Sequence, residues 1–268
     1  MKNHMFKKRI EKYKIQALSI FLFLFIWQLI AQYVINDPLL LPSIADIIRA
    51  FFKLSANIPI DIGVSLLHLS TGLLFALLVG IPLGALMGWY KNADRFFNPL
   101  IEMLRPIPPL AWIPFAIIWF GLSDYSAGFI IFIGALFPIL TNTYTGFRNT
   151  SNLLVEAAKV LGCKKNKDLI RHVVLPSSFP YILSGIRISI GIGWMCVVAA
   201  EMFGLDNYGM DNVGVGNMLW QYYALHMMDR VALYMFILAT IGIAIDRILK
   251  YIEARLLKWQ SHTNIAQI

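Results

Sequence analysis

Five histidines (His4, His68, His172, His226, His262) and two cysteines (Cys163, Cys196) are the side chains of this 268-residue sequence that could ligate a metal or act as nucleophiles. No two histidines stand at H-x-x-x-H or H-E-x-x-H spacing, so the sequence offers no metal site. The cysteines lack CxxC spacing, and neither has a histidine beside it in sequence to activate a thiolate. There is no G-x-x-x-x-G-K-[ST] run, so this chain does not cradle ATP phosphates. What remains are charges in unusual places. Arg187 falls inside an apolar stretch, where an unpaired charge is costly. It could attract an anion, or pair with Glu102, Glu201 or a backbone carbonyl. Glu102 and Arg105, three apart, could share a helix face. His68 reads as a bonded packing residue, and Glu201 and Asp124 as interfacial carboxylates.

The elements that must position these residues follow from composition. The chain is 58% hydrophobic and only 14% charged, with a mean hydropathy of +0.66. Soluble domains carry about a quarter charged residues. Six stretches, near 16–35, 63–88, 99–121, 126–147, 178–200 and 231–249, approach the roughly 20 apolar residues a crossing helix needs. Lipid-exposed backbone must satisfy its own hydrogen bonds, so all six are helices. The fold class is therefore all-α: a polytopic membrane protein with about six transmembrane helices, in the cell membrane. Basic residues gather before the first span (Lys2, Lys7, Lys8, Arg9, Lys12, Lys14), between spans two and three (Lys91, Arg95), between four and five (Arg148, Lys159, Lys164, Lys165, Lys167, Arg171), and at the end (Arg247, Lys250, Arg255, Lys258). By the positive-inside rule both termini and the loop between spans four and five are cytoplasmic. The net charge of +8 then reflects topology and not nucleic-acid binding. The chain divides into a basic cytoplasmic N-terminus (1–15), a retained first span plus outer interfacial helix (16–62), a core (63–249) with a loop at 149–177, and a cytoplasmic tail (250–268).

Within the core, Gly72, Ala76, Gly80, Gly84 and Gly88 recur every four residues, and Gly185, Ser189 and Gly193 repeat the device in the fifth span. Such seams allow the close backbone approach that associates helices in lipid. The third span carries Arg105, Pro106, Pro108, Pro109, Trp112 and Pro114, so a regular helix cannot run through it. Two readings stay open there: a kinked entry turn at the interface, or a break near a translocation path involving Arg105, Pro108, Pro109 and Trp112, with Arg187 of the fifth span as its further candidate. On the outer side, Ser43 with Asp46 reads as an N-cap. Ile44, Ile47, Ile48, Phe51 and Phe52 then form one apolar stripe of a helix lying in the headgroup region.

The loop 149–177 reads as two short helices. The first holds Glu156-Ala157-Ala158 and stops at Gly162, suited to a left-handed cap. Paired alanines there give a smooth face for another protein. Asp168 N-caps Leu169–Val174, and Leu175-Pro176 ends the unit. Glu156-Ala157-Ala158, Gly162 and Leu175-Pro176 resemble the EAA signature of importer-type ABC transporter permeases. Leu41-Pro42-Ser43, Ser65-Leu66-Leu67, Gly80-Ile81-Pro82-Leu83-Gly84, the Arg105–Pro114 run, Trp119-Phe120-Gly121, Asp229-Arg230-Val231, Asp246-Arg247 and Leu256-Leu257-Lys258-Trp259 are similar to the nitrate/sulfonate/taurine group of that family.

This resemblance implies a permease subunit, not an enzyme, whose loop forms coupling helices that dock on a cytoplasmic ATPase. It implies two such chains, as a homodimer, two ATPase subunits holding ATP and Mg, and an extracytoplasmic solute-binding protein. The implied cargo is a small solute such as an organic sulfonate, taurine or nitrate, or alternatively a thiamine-precursor pyrimidine. A self-sufficient ion-coupled secondary transporter or an intramembrane enzyme is the rival; a coupled transporter would want buried carboxylates near the midplane and internal repeats. Three departures from the family pattern stand out: His68 where Arg is expected, a long outer loop at 204–216, and one extra residue between Gly162 and Leu175-Pro176.

Overall fold

The computed structural model describes residues 2–163, 165–203 and 213–257, and among them all regular structure is helical. In chain order it comprises α1 (Lys2–Leu29), extended by a π-helical turn at Ile30–Ile35, then α2 (Ile44–Leu54), α3 (Ile58–Trp89) and α4 (Lys91–Leu104). A 3-10 turn (Pro109–Trp112) leads into α5 (Ile113–Phe120), followed by α6 (Asp124–Arg148), α7 (Asn152–Val160) and α8 (Asn166–Leu169). A π-helical turn (Ile170–Val174) joins α8 to α9 (Leu175–Phe203), and α10 (Val215–Ala224) and α11 (Met228–Leu256) complete the order. Among the described residues five segments are long and apolar enough to cross a membrane, and a sixth arises if α4 and Pro109–Phe120 count as one broken span, bent by 89°. The break expected in the third span is present, and the span's bounds move from 99–121 to Lys91–Phe120. The helix begins at Lys91, and the prolines at 106, 108 and 109 end it by removing donors and clashing with the preceding turn. The first helix takes in the basic residues expected to precede the span, because Lys, Arg and Glu are strong helix formers. Likewise α11 continues into the expected tail, of which 258–268 lie outside the described residues.

The described residues form two compact units. One comprises the chain up to Pro59 with Met218–Leu238, the other Ile60–Asn217 with the chain from Ala239. In the first, the Trp27 indole donates to the Pro42 carbonyl (3.0 Å) and the Gln28 side chain accepts from Ile44 N (2.8 Å), fixing the start of α2. The capping box of Ser43 with Asp46 is present. Its apolar stripe is split: Ile47 packs inward with Ala50 and Leu54, while Ile48, Phe51 and Phe52 are exposed.

The second unit is built on α3, α6 and α9. A Cβ added at Gly72, Gly84 or Gly88 would lie within 3 Å of Ile131, Leu140 or Phe147 of α6, so the α3 seam is a helix contact within the chain. Ala76, Ala135 and Ile139, all fully buried, fill the space between, beside Gly80. On the other side of α6, Gly185 meets Asn142 and Pro138, Gly193 lies near Leu69 and Ile131, and Ser189 Oγ donates to the Ala135 carbonyl (2.7 Å). Alpha-6 is thus clasped between α3 and α9 at backbone distance, which in lipid supplies the attraction that hydrophobicity cannot.

Candidate functional site

The loop between α6 and α9 presents an apolar face to solvent. Gly162 stands at φ +101°, Cys163 N donates to the Ala158 carbonyl (3.0 Å) and Gly162 N to that of Lys159 (3.1 Å), so α7 ends in a complete Schellman motif. Glu156 and Ala157 are exposed but Ala158 is buried, so the two alanines do not share one smooth face. Neighbours on a helix are turned about 100° from each other, which sends one alanine inward. The exposed surface is carried instead by Leu153 (74% exposed), Leu154, Ala157, Val160 (88%) and Leu161 (86%), with Glu156 at its rim. These leucines and Val160 were not singled out in the sequence. Their signal was apolar spacing inside an otherwise hydrophilic loop.

The second half of the loop departs from expectation. Lys165, not Asp168, is the N-cap of α8, and Asp168 lies in the first turn, where its charge suits the helix dipole. Leu175 and Pro176 are helical and do not end the unit. The π-helical turn at Ile170–Val174 leads straight into α9, and its altered bonding accommodates the donor that Pro176 lacks.

The remaining candidates lie apart from the loop. Arg105 and Pro108 are exposed at the break after α4; Pro109 packs beside Gly134. Trp112, with Trp119 and Phe120, rings Phe129 of α6 at centroid distances of 6.4, 5.7 and 5.4 Å. This aromatic cluster holds α5 across α6. Among the described residues Glu102 and Arg105 form no ion pair; Asn98 Nδ2 donates to Glu102 instead (2.8 Å). Arg187 is half-buried and pairs with neither Glu102 nor Glu201. It bonds Asp246 and Glu253 of α11, both at 3.1 Å, because α9 and α11 are neighbours there. It lines a shallow groove with Ile190, Trp194, Gly242 and Asp246.

A polar cluster that the sequence did not disclose sits at the opposite end of α9. Glu201 is 3% exposed, not interfacial. Its carboxylate accepts from Ser65 Oγ (2.9 Å) and Gly216 N (2.8 Å) and faces His68 Nδ1 (3.0 Å). Ser65 Oγ in turn accepts from Val215 N (2.9 Å), and Asp61 from Gly214 N (3.4 Å). Three successive amides at the start of α10 are thus capped by side chains of α3 and α9, where the helix dipole favours negative charge. Gly214 (φ +131°) leaves room for Glu201, whose carboxyl carbon would lie 2.9 Å from an added Cβ. The other ring nitrogen of His68 faces Asp124 (3.2 Å), so His68 joins α3, α6 and α9 as a bonded packing residue. Of the loop expected to be long and on the outer side, 204–216, residues 204–212 lie outside the described residues.

Ser65→Ala is expected to strand Val215 N without an acceptor, at about 1–3 kcal/mol. Its melting temperature in detergent should fall by several degrees, whereas Ser70→Ala, on the exposed face, should leave it unchanged. Equal melting temperatures for the two variants would refute this account of the cap.

Residues 80–258 match the model of the binding-protein-dependent transport system inner membrane component. The chain belongs to this family. It is a multi-pass inner-membrane transport component rather than an enzyme. The permease is 42% identical to a putative ABC transporter permease protein of Methanocaldococcus jannaschii, over 95% of this chain and 93% of that one. It is 32% identical to the putative aliphatic sulfonates transport permease of Bacillus subtilis (88% of this chain, 84% of that one) and 32% to the nitrate import permease of Synechococcus elongatus (86% and 85%). The solved MetNI methionine ABC transporter shares the fold at 19% identity, with a TM-score of 0.58 over 74% of this chain and 97% of that one.

Proposed function

We propose that the permease forms half of the membrane pathway of an ABC importer for a small anion, an organic sulfonate, taurine or nitrate. The observation that carries this reading is the exposed apolar face of α7 on a basic loop. Leu153, Val160 and Leu161 have no reason to face water unless a protein covers them. The occupant is the cytoplasmic ATPase, with Glu156 at the rim of the contact and Gly162 setting where the face ends. Two permease chains, paired as a homodimer, work with two ATPase subunits, which hold ATP and Mg. An extracytoplasmic binding protein delivers the solute to the outer side. ATP-driven closure of the ATPases moves the coupling loops, and the bundle alternates between outward and inward access. The names of the sulfonate and nitrate relatives support the anionic cargo.

The test is ATP hydrolysis in proteoliposomes holding the permease, its ATPase and its binding protein. Alkanesulfonates, taurine, nitrate, bicarbonate and a pyrimidine are added singly. Stimulation by one of the anions is expected. Failure of any ATPase to assemble with the permease would overturn the importer reading, and stimulation by the pyrimidine alone would overturn the anionic cargo.

A further inference from the structure

Helix α4 carries a polar stripe along its whole length. Lys91, Arg95, Asn98, Glu102 and Arg105 follow one another at spacings of four and three, and so share one face. All but the partly covered Asn98 are exposed. Phe97 and Ile101 pack onto Met87 and Leu140 of α3 and α6, and Phe96, Leu100 and Met103 form a separate exposed apolar face.

The depth of this stripe is fixed by α6. At one end Asp94 accepts from Arg148, the last residue of α6, at 2.8 Å. At the other, Pro109 lies against Gly134. The stretch of α6 from Gly134 to Arg148 spans about 21 Å at 1.5 Å per residue, against a hydrocarbon core of roughly 30 Å. Arg105, just before the break, therefore sits deep within the bilayer. An exposed guanidinium is not stable against lipid at that depth, and it requires water or protein in front of it.

The charges give the stripe its selectivity. Three cations, Lys91, Arg95 and Arg105, stand against Glu102, which already accepts from Asn98. A guanidinium matches planar or tetrahedral oxyanions with paired N–H donors. We infer that this face of α4 lines the cytoplasmic half of the translocation path and guides an anionic solute toward the cytoplasm, with Arg105 as its deepest cationic contact. The inference rests on the importer reading, and it extends that reading to named residues.

The experiment uses cysteine accessibility in inside-out membrane vesicles carrying the full chain with Cys163 and Cys196 replaced by serine. Asn98→Cys reports on the stripe and Leu100→Cys on the apolar face. Each is exposed to two membrane-impermeant methanethiosulfonates, one bearing a sulfonate and one a trimethylammonium group. Asn98→Cys is expected to react, with at least a tenfold preference for the sulfonate reagent relative to a free thiol in solution, while Leu100→Cys stays unmodified. Adding Arg105→Gln should collapse the preference, and Arg105→Lys should keep it. Should Asn98→Cys not insert, Glu102→Cys serves as the second reporter on the same face. An unreactive stripe, or a reactive one without anion preference, overturns the inference, as does a preference that survives Arg105→Gln. The readout needs neither ATP nor cargo. ATPase assembly, measured by co-purification from the same vesicles, separates failure of this inference from failure of the importer reading.

Discussion

Replacing Leu153 and Val160 together by aspartate is expected to abolish association of the ATPase with the permease while leaving the permease folded. Both side chains are largely exposed in the chain alone, so neither contributes much to its own stability. Fully burying an aliphatic side chain contributes about 1.5–3 kcal/mol. Losing two, and placing two carboxylates in the contact, should weaken binding at least about a hundredfold at 1.4 kcal/mol per tenfold. Position 153 lies in the first turn of α7, where a carboxylate meets the positive end of the helix, whereas position 160 is its last residue, where a carboxylate costs about 0.3–1 kcal/mol; the two effects largely offset. The measurement is co-purification of the ATPase, with size-exclusion of the permease as the folding control. Retained association with an intact profile would sink the coupling-surface assignment.

Gly84→Leu should instead destroy the fold. A Cβ at that position would lie 2.6 Å from the Leu140 carbonyl and 2.9 Å from the Thr143 Cβ, both on the rigid α6 helix. Overpacking by single methylenes already costs about 1–3 kcal/mol, and here the first atom meets backbone before the rest of the side chain is placed. Separating α3 from α6 also forfeits the dispersion contacts along the seam, which nothing in lipid replaces. Recovery of monodisperse protein is expected to fall below about one-tenth of the parent. Gly63→Ala is the control: a Cβ there meets nothing within 4 Å, and the substitution gains helix propensity of up to about 1 kcal/mol. If both variants were recovered equally well, the seam would not be the contact that holds the bundle.

What the sequence disclosed was local or periodic. Long apolar runs located the crossing helices, Ser43 with Asp46 marked the start of α2, and Gly162 marked the end of α7, because each acts on residues within a turn or two. The proline run announced a break, but not that α4 begins at Lys91, since a helix of balanced polarity is invisible to a search for apolar length. Contacts between distant residues stayed hidden. The partners of Arg187 lie on α11, and the donors to Glu201 come from Ser65 on α3 and from Gly216 in the first turn of α10. A lone carboxylate at a span end looks interfacial until the fold brings amides to it. Leu175-Pro176 misled for the opposite reason: a proline is a stop only when the preceding turn keeps ordinary helical bonding, and here the π-turn absorbs it.

That π-turn makes one rod of two functions. Helical structure runs unbroken over Asn166–Met202, 37 residues, or about 55 Å at 1.5 Å per residue. One end belongs to the loop that carries the exposed apolar face. The other holds Glu201, on which the amide of Gly216 is hung. The segment therefore has the geometry of a lever: for a helix of this length, a tilt of about one degree at the loop carries the far end through about 1 Å, enough to stretch the bond to Gly216 past hydrogen-bonding distance unless the start of α10 travels with it.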